Sequence, residues 1–173
     1  MGMALLLALP CDAQTAAKET PAARAVKMFN VFCLSQLPDL DGVKKAAGFG
    51  EFAPITGDEL KANAPATPAE AFYAWRFHEA GGEFILTAAQ SKPDDASKAF
   101  ANAKDYACTL TFPPADAGQV LAELTALLKR QPDPAGRNIP YIWTHETAKH
   151  LGRVEFHPSS APGLLSASVL VKP

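Results

Sequence analysis

Residues 105–112 read D-Y-A-C-T-L-T-F, and this stretch decides how the rest of the chain folds. Tyr106, Cys108, Leu110 and Phe112 fall on one side of an alternating pattern, with Ala107, Thr109 and Thr111 on the other. A period of two is that of a β-strand with one buried face. Pro113-Pro114 ends it. A strand that is apolar on one face and small and polar on the other belongs to an antiparallel sheet covered on one side. Cys108 lies on the apolar face, so a disulfide made from it must come from whatever covers the sheet.

Upstream, Phe72 to His78, F-Y-A-W-R-F-H, places Tyr73, Trp75 and Phe77 on one face and Arg76 and His78 on the other. Gly81-Gly82 is a turn signal, and Glu83 to Ala89 returns as a second strand. Pro93 to Lys104 is a polar excursion. Downstream, Asp116 caps a helix predicted to run to Arg130, with Val120, Leu121, Leu124, Leu127 and Leu128 as its buried stripe and Lys129 and Arg130 in its last turn. A loop with Pro132, Pro134 and Gly136 leads to three further strands over 139–145, 151–157 and 164–171.

Towards the N-terminus, Val26, Phe29, Phe32 and Cys33 recur at spacings of three and four, which predicts a helix over Ala22–Gln36 with Cys33 on its apolar stripe. Pro38-Asp39 opens a second short helix, with Asp39 as N-cap and Gly48 as its stop. Residues 49–69 are irregular, with one helical turn near Asp58–Ala62. The expected fold is therefore α+β: an antiparallel sheet of five to six strands with helices packed on one face. One disulfide, Cys33 to Cys108, ties the first helix to the sheet, with Cα atoms about 4.4–6.8 Å apart.

Met3 to Leu9, M-A-L-L-L-A-L, followed by Pro10 and by Cys11-Asp12-Ala13, has the layout of a short secretory signal peptide cleaved after Ala13. The competing reading lipidates Cys11. The apolar run is too short for a membrane span, which needs about 20 residues. The expected organisation is a signal peptide at 1–13, a polar leader at 14–21 and a single α+β domain at 22–173. Export leaves Cys33 and Cys108 as an even pair in an oxidising compartment, the periplasm or the exterior. The 173 residues carry a formal net charge of −2, and cleavage removes only Asp12. That balance gives no electrostatic footprint for nucleic acid.

Three groups of residues carry a resemblance: F-C-L at Phe32 to Leu34, P-D-L at Pro38 to Leu40, and C-T-L-T-F at Cys108 to Phe112 before the Leu-rich helix. Together they resemble small uncharacterised exported proteins of Gram-negative bacteria. The resemblance spans most of the chain and implies no particular activity.

Residues able to carry chemistry are few. His145 and His150 flank E-T-A-K, and a four-residue hairpin loop there would make the two rings cross-strand neighbours beside Glu146. Imidazoles and a carboxylate suit zinc or copper, which makes His145, His150 and Glu146 the one metal alternative. Against it, strand parity sends His157 to the opposite face, and two polar residues at a hairpin tip describe the pair as well. Tyr73, Trp75 and Phe77, and likewise Tyr141 and Trp143, read either as core or as the wall of a ligand pocket. Gly48-Phe49-Gly50 lacks the preceding strand and third glycine of a phosphate loop. No nucleophile elbow, metalloprotease helix, P-loop or C-x-x-C is present in the sequence.

The leading expectation is an exported, non-catalytic module that binds a protein or small-molecule ligand without a cofactor. The alternative is an exported hydrolase or metal-assisted enzyme with dispersed catalytic residues.

Overall fold

In the computed structural model, which describes residues 19–66, 68–92, 103–134 and 140–172, the alternating runs become neighbouring strands of one antiparallel sheet. The strands are β1 Ala53–Pro54, β2 Ala69–Glu79, β3 Gly82–Ser91, β4 Lys104–Phe112, β5 Tyr141–Glu146, β6 His150–His157 and β7 Gly163–Val171. Their order across the sheet is β1-β2-β3-β4-β7-β6-β5. Two meanders, β2-β3-β4 and β5-β6-β7, thus meet edge to edge through their last strands. The six long strands are those read from the sequence; β1 is an added two-residue edge. The signal peptide at 1–13, residues 14–18 of the leader and residues 93–102 lie outside the described residues.

Register turns the separate apolar faces into continuous rows. One row runs Trp75, Leu86, Leu110, Leu165, Phe156, Tyr141 across six strands, and the next runs Tyr73, Ala88, Cys108, Ala167, Val154, Trp143. Leu86, Leu110 and Leu165 are fully buried, and removing each such side chain from water contributes about 1.5–3 kcal/mol. At one end of the sheet Phe112 lies opposite Gly163, where a Cβ would come within 2.4 Å of the phenyl ring. Only glycine leaves that space free.

The covering layer comes from helices α1 Pro21–Phe29, α2 Leu40–Phe49 and α4 Ala117–Leu128. Thr20 caps α1 by accepting a hydrogen bond from the Ala23 N–H, and Pro21 takes the first helical position, one residue before the predicted start. The predicted helix over 22–36 does not stay α-helical throughout. Asn30–Leu34 is a π-helical turn, closed by the Ser35 N–H donating to the Asn30 carbonyl at 2.9 Å. The wider turn lets Phe29, Phe32 and Cys33 all face the sheet, with Phe29 and Cys33 fully buried. Cys33 bonds Cys108 with Cα atoms 5.4 Å apart, as the two apolar faces require.

Two helix ends differ from expectation. Asp39 caps α2 as predicted, but the helix runs through Gly48 to Phe49, with Gly50 at its C-cap. Gly50 is the residue that matters there, because a Cβ on it would sit 2.6 Å from the Phe32 ring. Asp116 caps α4 as predicted, accepting from the Gln119 N–H at 2.8 Å, but α4 stops at Leu128, with Lys129 in the left-handed conformation at φ 52°. Lys129 and Arg130 therefore lie beyond the last turn. Arg130 instead donates to the Thr144 carbonyl and pairs with Asp133. A short α3, Gly57–Ala62, sits against the opposite face of the sheet, where Glu59 pairs with Arg76. Among the described residues no helix is long and apolar enough to cross a membrane.

Candidate functional site

The inner face of the second meander is not fully covered. Beyond the Ala167-Val154-Trp143 row comes a row of Val169, Gly152 and His145. Among the described residues no helix closes over it. Leu34 and Leu37, at the end of the π turn, and Leu128, at the end of α4, overhang it from one side. The result is a hollow of about 300 Å³, at the small end of the range for ligand pockets.

Its floor is deep because two of its residues have little or no side chain. Gly152 and Ala167 lie under the opening, and a Cβ built on Gly152 would meet only the His145 carbonyl at 3.6 Å. A glycine inside a strand often marks close approach by a ligand or another backbone. Gly152 is the one such mark within H-L-G-R-V-E-F-H, residues 150–157.

Trp143 forms the back wall. It is 4 % exposed, and its indole Nε1–H donates to the Arg130 carbonyl at 2.9 Å. The same segment covers the outer edge of β5. The Asp133 N–H donates to the Ile142 carbonyl, and the Asp133 carboxylate accepts from the Thr144 N–H at 2.8 Å. Hydrogen bonds from Thr144, with the Arg130 guanidinium beside them, hold the Asp133 carboxyl below its ordinary value. An edge strand capped in this way is fixed in place, so the indole is a rigid surface. Trp143 thus answers to both sequence readings: it is core on one side and pocket wall on the other. Tyr141 stacks on Phe156 at 6.1 Å between centroids and belongs to the core.

The ionisable side chains in the wall are Arg130 and His145, with no carboxylate among the lining residues; Arg153 alternates with Gly152 and Val154, so its side chain stands on the outer face of the sheet. The Arg130 guanidinium is held by Asp133, while on the outer face Arg153 pairs with Glu155 at 2.6 Å. His145 stands exposed at the mouth.

The predicted histidine arrangement is not what the hairpin forms. The Thr147 N–H donates to the His150 carbonyl at 2.8 Å, so only Ala148 and Lys149 form the tip, and the loop is two residues rather than four. His145 then faces Gly152, and His150 faces Val171 of β7. Glu146, one residue along, lies opposite Leu151 on the other face of the sheet. It accepts from the Lys172 ammonium at 2.8 Å, which draws its carboxyl below its ordinary value. The structure therefore separates Glu146 from His145 instead of gathering His145, His150 and Glu146 around one point. Among the described residues no three His, Cys, Asp or Glu side chains converge on a possible metal position. His157 lies on the outer face as parity requires, 3.2 Å from Glu155.

The stripe of Tyr73, Trp75 and Phe77 packs into the core, while Arg76 and His78 on the reverse face both meet Glu83. Phe49 is carried at the end of α2, not in a phosphate-type loop. Comparison with protein-family models, with characterised proteins and with solved structures finds no match.

Proposed function

We propose that this chain is an exported binding module, working in the periplasm or outside the cell, that holds a small apolar molecule ending in an anionic group. The observation that carries this reading is the hollow beside Trp143: apolar in its depth, bounded by rigid elements, and with no carboxylate in its wall, where Arg130 and His145 are the ionisable side chains. Leu34, Leu37, Leu128, Val154 and Val169 would take the apolar body, and His145 would meet the anionic end at the mouth. Pockets of this kind bind through apolar area and use a few polar groups for orientation. Export is supported by the disulfide, which persists in oxidising compartments, and by the apolar N-terminal run of the sequence.

The test uses Gly152. Valine there fills the floor of the hollow with ordinary contacts, and β-branched residues suit strands. Decanoate titrated into the oxidised protein should shift the Trp143 indole N–H resonance at one site per chain. Gly152→Val should abolish that shift while leaving the unfolding transition unchanged or raised. A titration that leaves the Trp143 resonance in place would sink the reading. So would decanoate binding that survives Gly152→Val.

A further inference from the structure

The hairpin that leaves Glu146 on the far face brings its two imidazoles to the same one. His145 lies opposite Gly152, and His150 stands two residues before Gly152 on β6. Side chains two residues apart on a strand share a face. His145 and His150 therefore both belong to the inner face, in diagonal cross-strand positions. Backbones at such positions are about 7–8 Å apart, and long side chains still reach one another. The pair stands at the open end of the hollow beside Trp143. His145 is in its wall, and His150 is in the row beyond, opposite Val171.

Among the described residues neither ring has a hydrogen-bond or ion-pair partner, and the bonds between Thr147 and His150 use only the His150 backbone. This separates the pair from the other charged groups of the region. The Arg130 guanidinium is held by Asp133, and the Lys172 ammonium by Glu146. His78 and His157, on the outer face, each lie beside a glutamate.

The titratable groups that share the face are Tyr106 and Lys104 from β4, in the rows of Val169 and Val171, and Arg130 from the segment after α4. Lys149 is exposed at the hairpin tip. From β7 the pair meets valines, and the overhanging layer presents Leu34, Leu37 and Leu128. The carboxylates of these strands point elsewhere. Glu146 and Glu155 are on the outer face, and Asp133 is bound to Arg130 and to the Thr144 N–H at the edge of β5.

We infer that His145 and His150 together hold the anionic end of the ligand, and that their protonation governs its uptake, so that the module binds in mild acid and releases near neutral pH. This rests on the reading of the hollow as a ligand site and names how that site is regulated. Imidazole changes charge near neutrality, at about pH 6.5 when unperturbed. A neutral ring donates from one nitrogen, and a protonated ring from both. Two like charges this close oppose each other, and an anion between them favours the charged form of both. Binding therefore takes up protons, and by linkage affinity rises as pH falls through the histidine range.

Isothermal titration calorimetry of the oxidised protein in metal-free buffer, from about pH 8 to about pH 5.5, tests this with two probes. Decanesulfonate stays anionic throughout, and decanol is never charged. Decanesulfonate should bind at one site per chain, with proton uptake, and about tenfold or more tightly at the acid end. Decanol should bind equally well at both ends. His145→Gln and His150→Gln should each flatten the pH dependence for decanesulfonate, and the double variant should abolish it. Decanol binding beside a decanesulfonate affinity indifferent to pH overturns the inference alone. So does a pH dependence that survives intact in His150→Gln, or a decanol affinity that rises equally in acid. Failure of both probes to bind at any pH overturns the reading of the hollow itself, and this inference with it.

Discussion

The two meanders are built alike, three antiparallel strands each, yet they end in different states. In β2-β3-β4 the inner face is closed. Trp75, Phe84, Leu86, Ala88, Cys108, Leu110 and Phe112 are all buried beneath α1, the π turn and α2. In β5-β6-β7 burial reaches Trp143, Phe156, Leu165 and Ala167, and the next row, His145, Gly152 and Val169, is left partly open. The strands are not what differs. The first meander has the disulfide and three helical segments above it. Among the described residues the second has only the end of α4 and the overhang of Leu34 and Leu37. A sheet face of ordinary apolar character thus becomes core or cavity according to what the chain lays over it.

Breaking the Cys33–Cys108 bond should produce the largest effect and confine it to the closed half. A bridge joining residues 75 apart contributes about 4.5 kcal/mol by loop entropy. Replacing both cysteines by alanine should lower the urea unfolding midpoint by an amount equivalent to about 2–5 kcal/mol. Hydrogen exchange should quicken first in α1 and β4. If protection falls equally in β5 and β6, the two halves are not separable as described.

A matched pair of truncations sharpens the contrast. Leu86→Ala opens a cavity in the closed half and should cost about 2–5 kcal/mol. Val169→Ala only widens a hollow already open to solvent and should cost less than about 1 kcal/mol. Chemical denaturation of both variants measures the difference. Equal losses would mean that the second meander is packed as tightly as the first.

The smallest effect belongs to Asp105, near the start of β4, where burial raises its carboxyl above the ordinary value. The unfolded chain ionises this group at lower pH than the native chain does. Native stability therefore falls as pH rises from the unfolded value through the raised native one, and the penalty is complete above it. Asp105→Asn removes the charge that burial disfavours. The variant should be modestly more stable than wild type at neutral pH, and the gain should disappear as pH drops below the unfolded carboxylate value. A gain unchanged in acid would point to some other cause.

The strands and the disulfide were legible because they depend on patterns one element long. Alternation in residues 72–78, 105–112 and 164–171 requires a strand with one buried face wherever that strand is finally placed. Cys33 and Cys108 each lie on the apolar side of their own element, so covering the sheet with the helix brings them together. Capping by Asp39 and Asp116 is equally local.

What only the tertiary structure decided is everything that depends on register between elements. The hairpin at Thr147–His150 closes in two residues, and that choice sets His145 against Gly152 and sends Glu146 to the far face. A shift of one residue in a strand exchanges its faces, so no reading of 145–150 alone could place those side chains. The hollow is further from the sequence still. It takes Leu34 and Leu37 from the first helical layer, Leu128 from α4, and Trp143, Gly152 and Val169 from three strands, and none of these residues carries a mark of the others. Composition and periodicity determine which face of an element avoids water. That no helix among the described residues lies over the third row of the second meander is a property of where those segments sit in space, and that is settled only by packing.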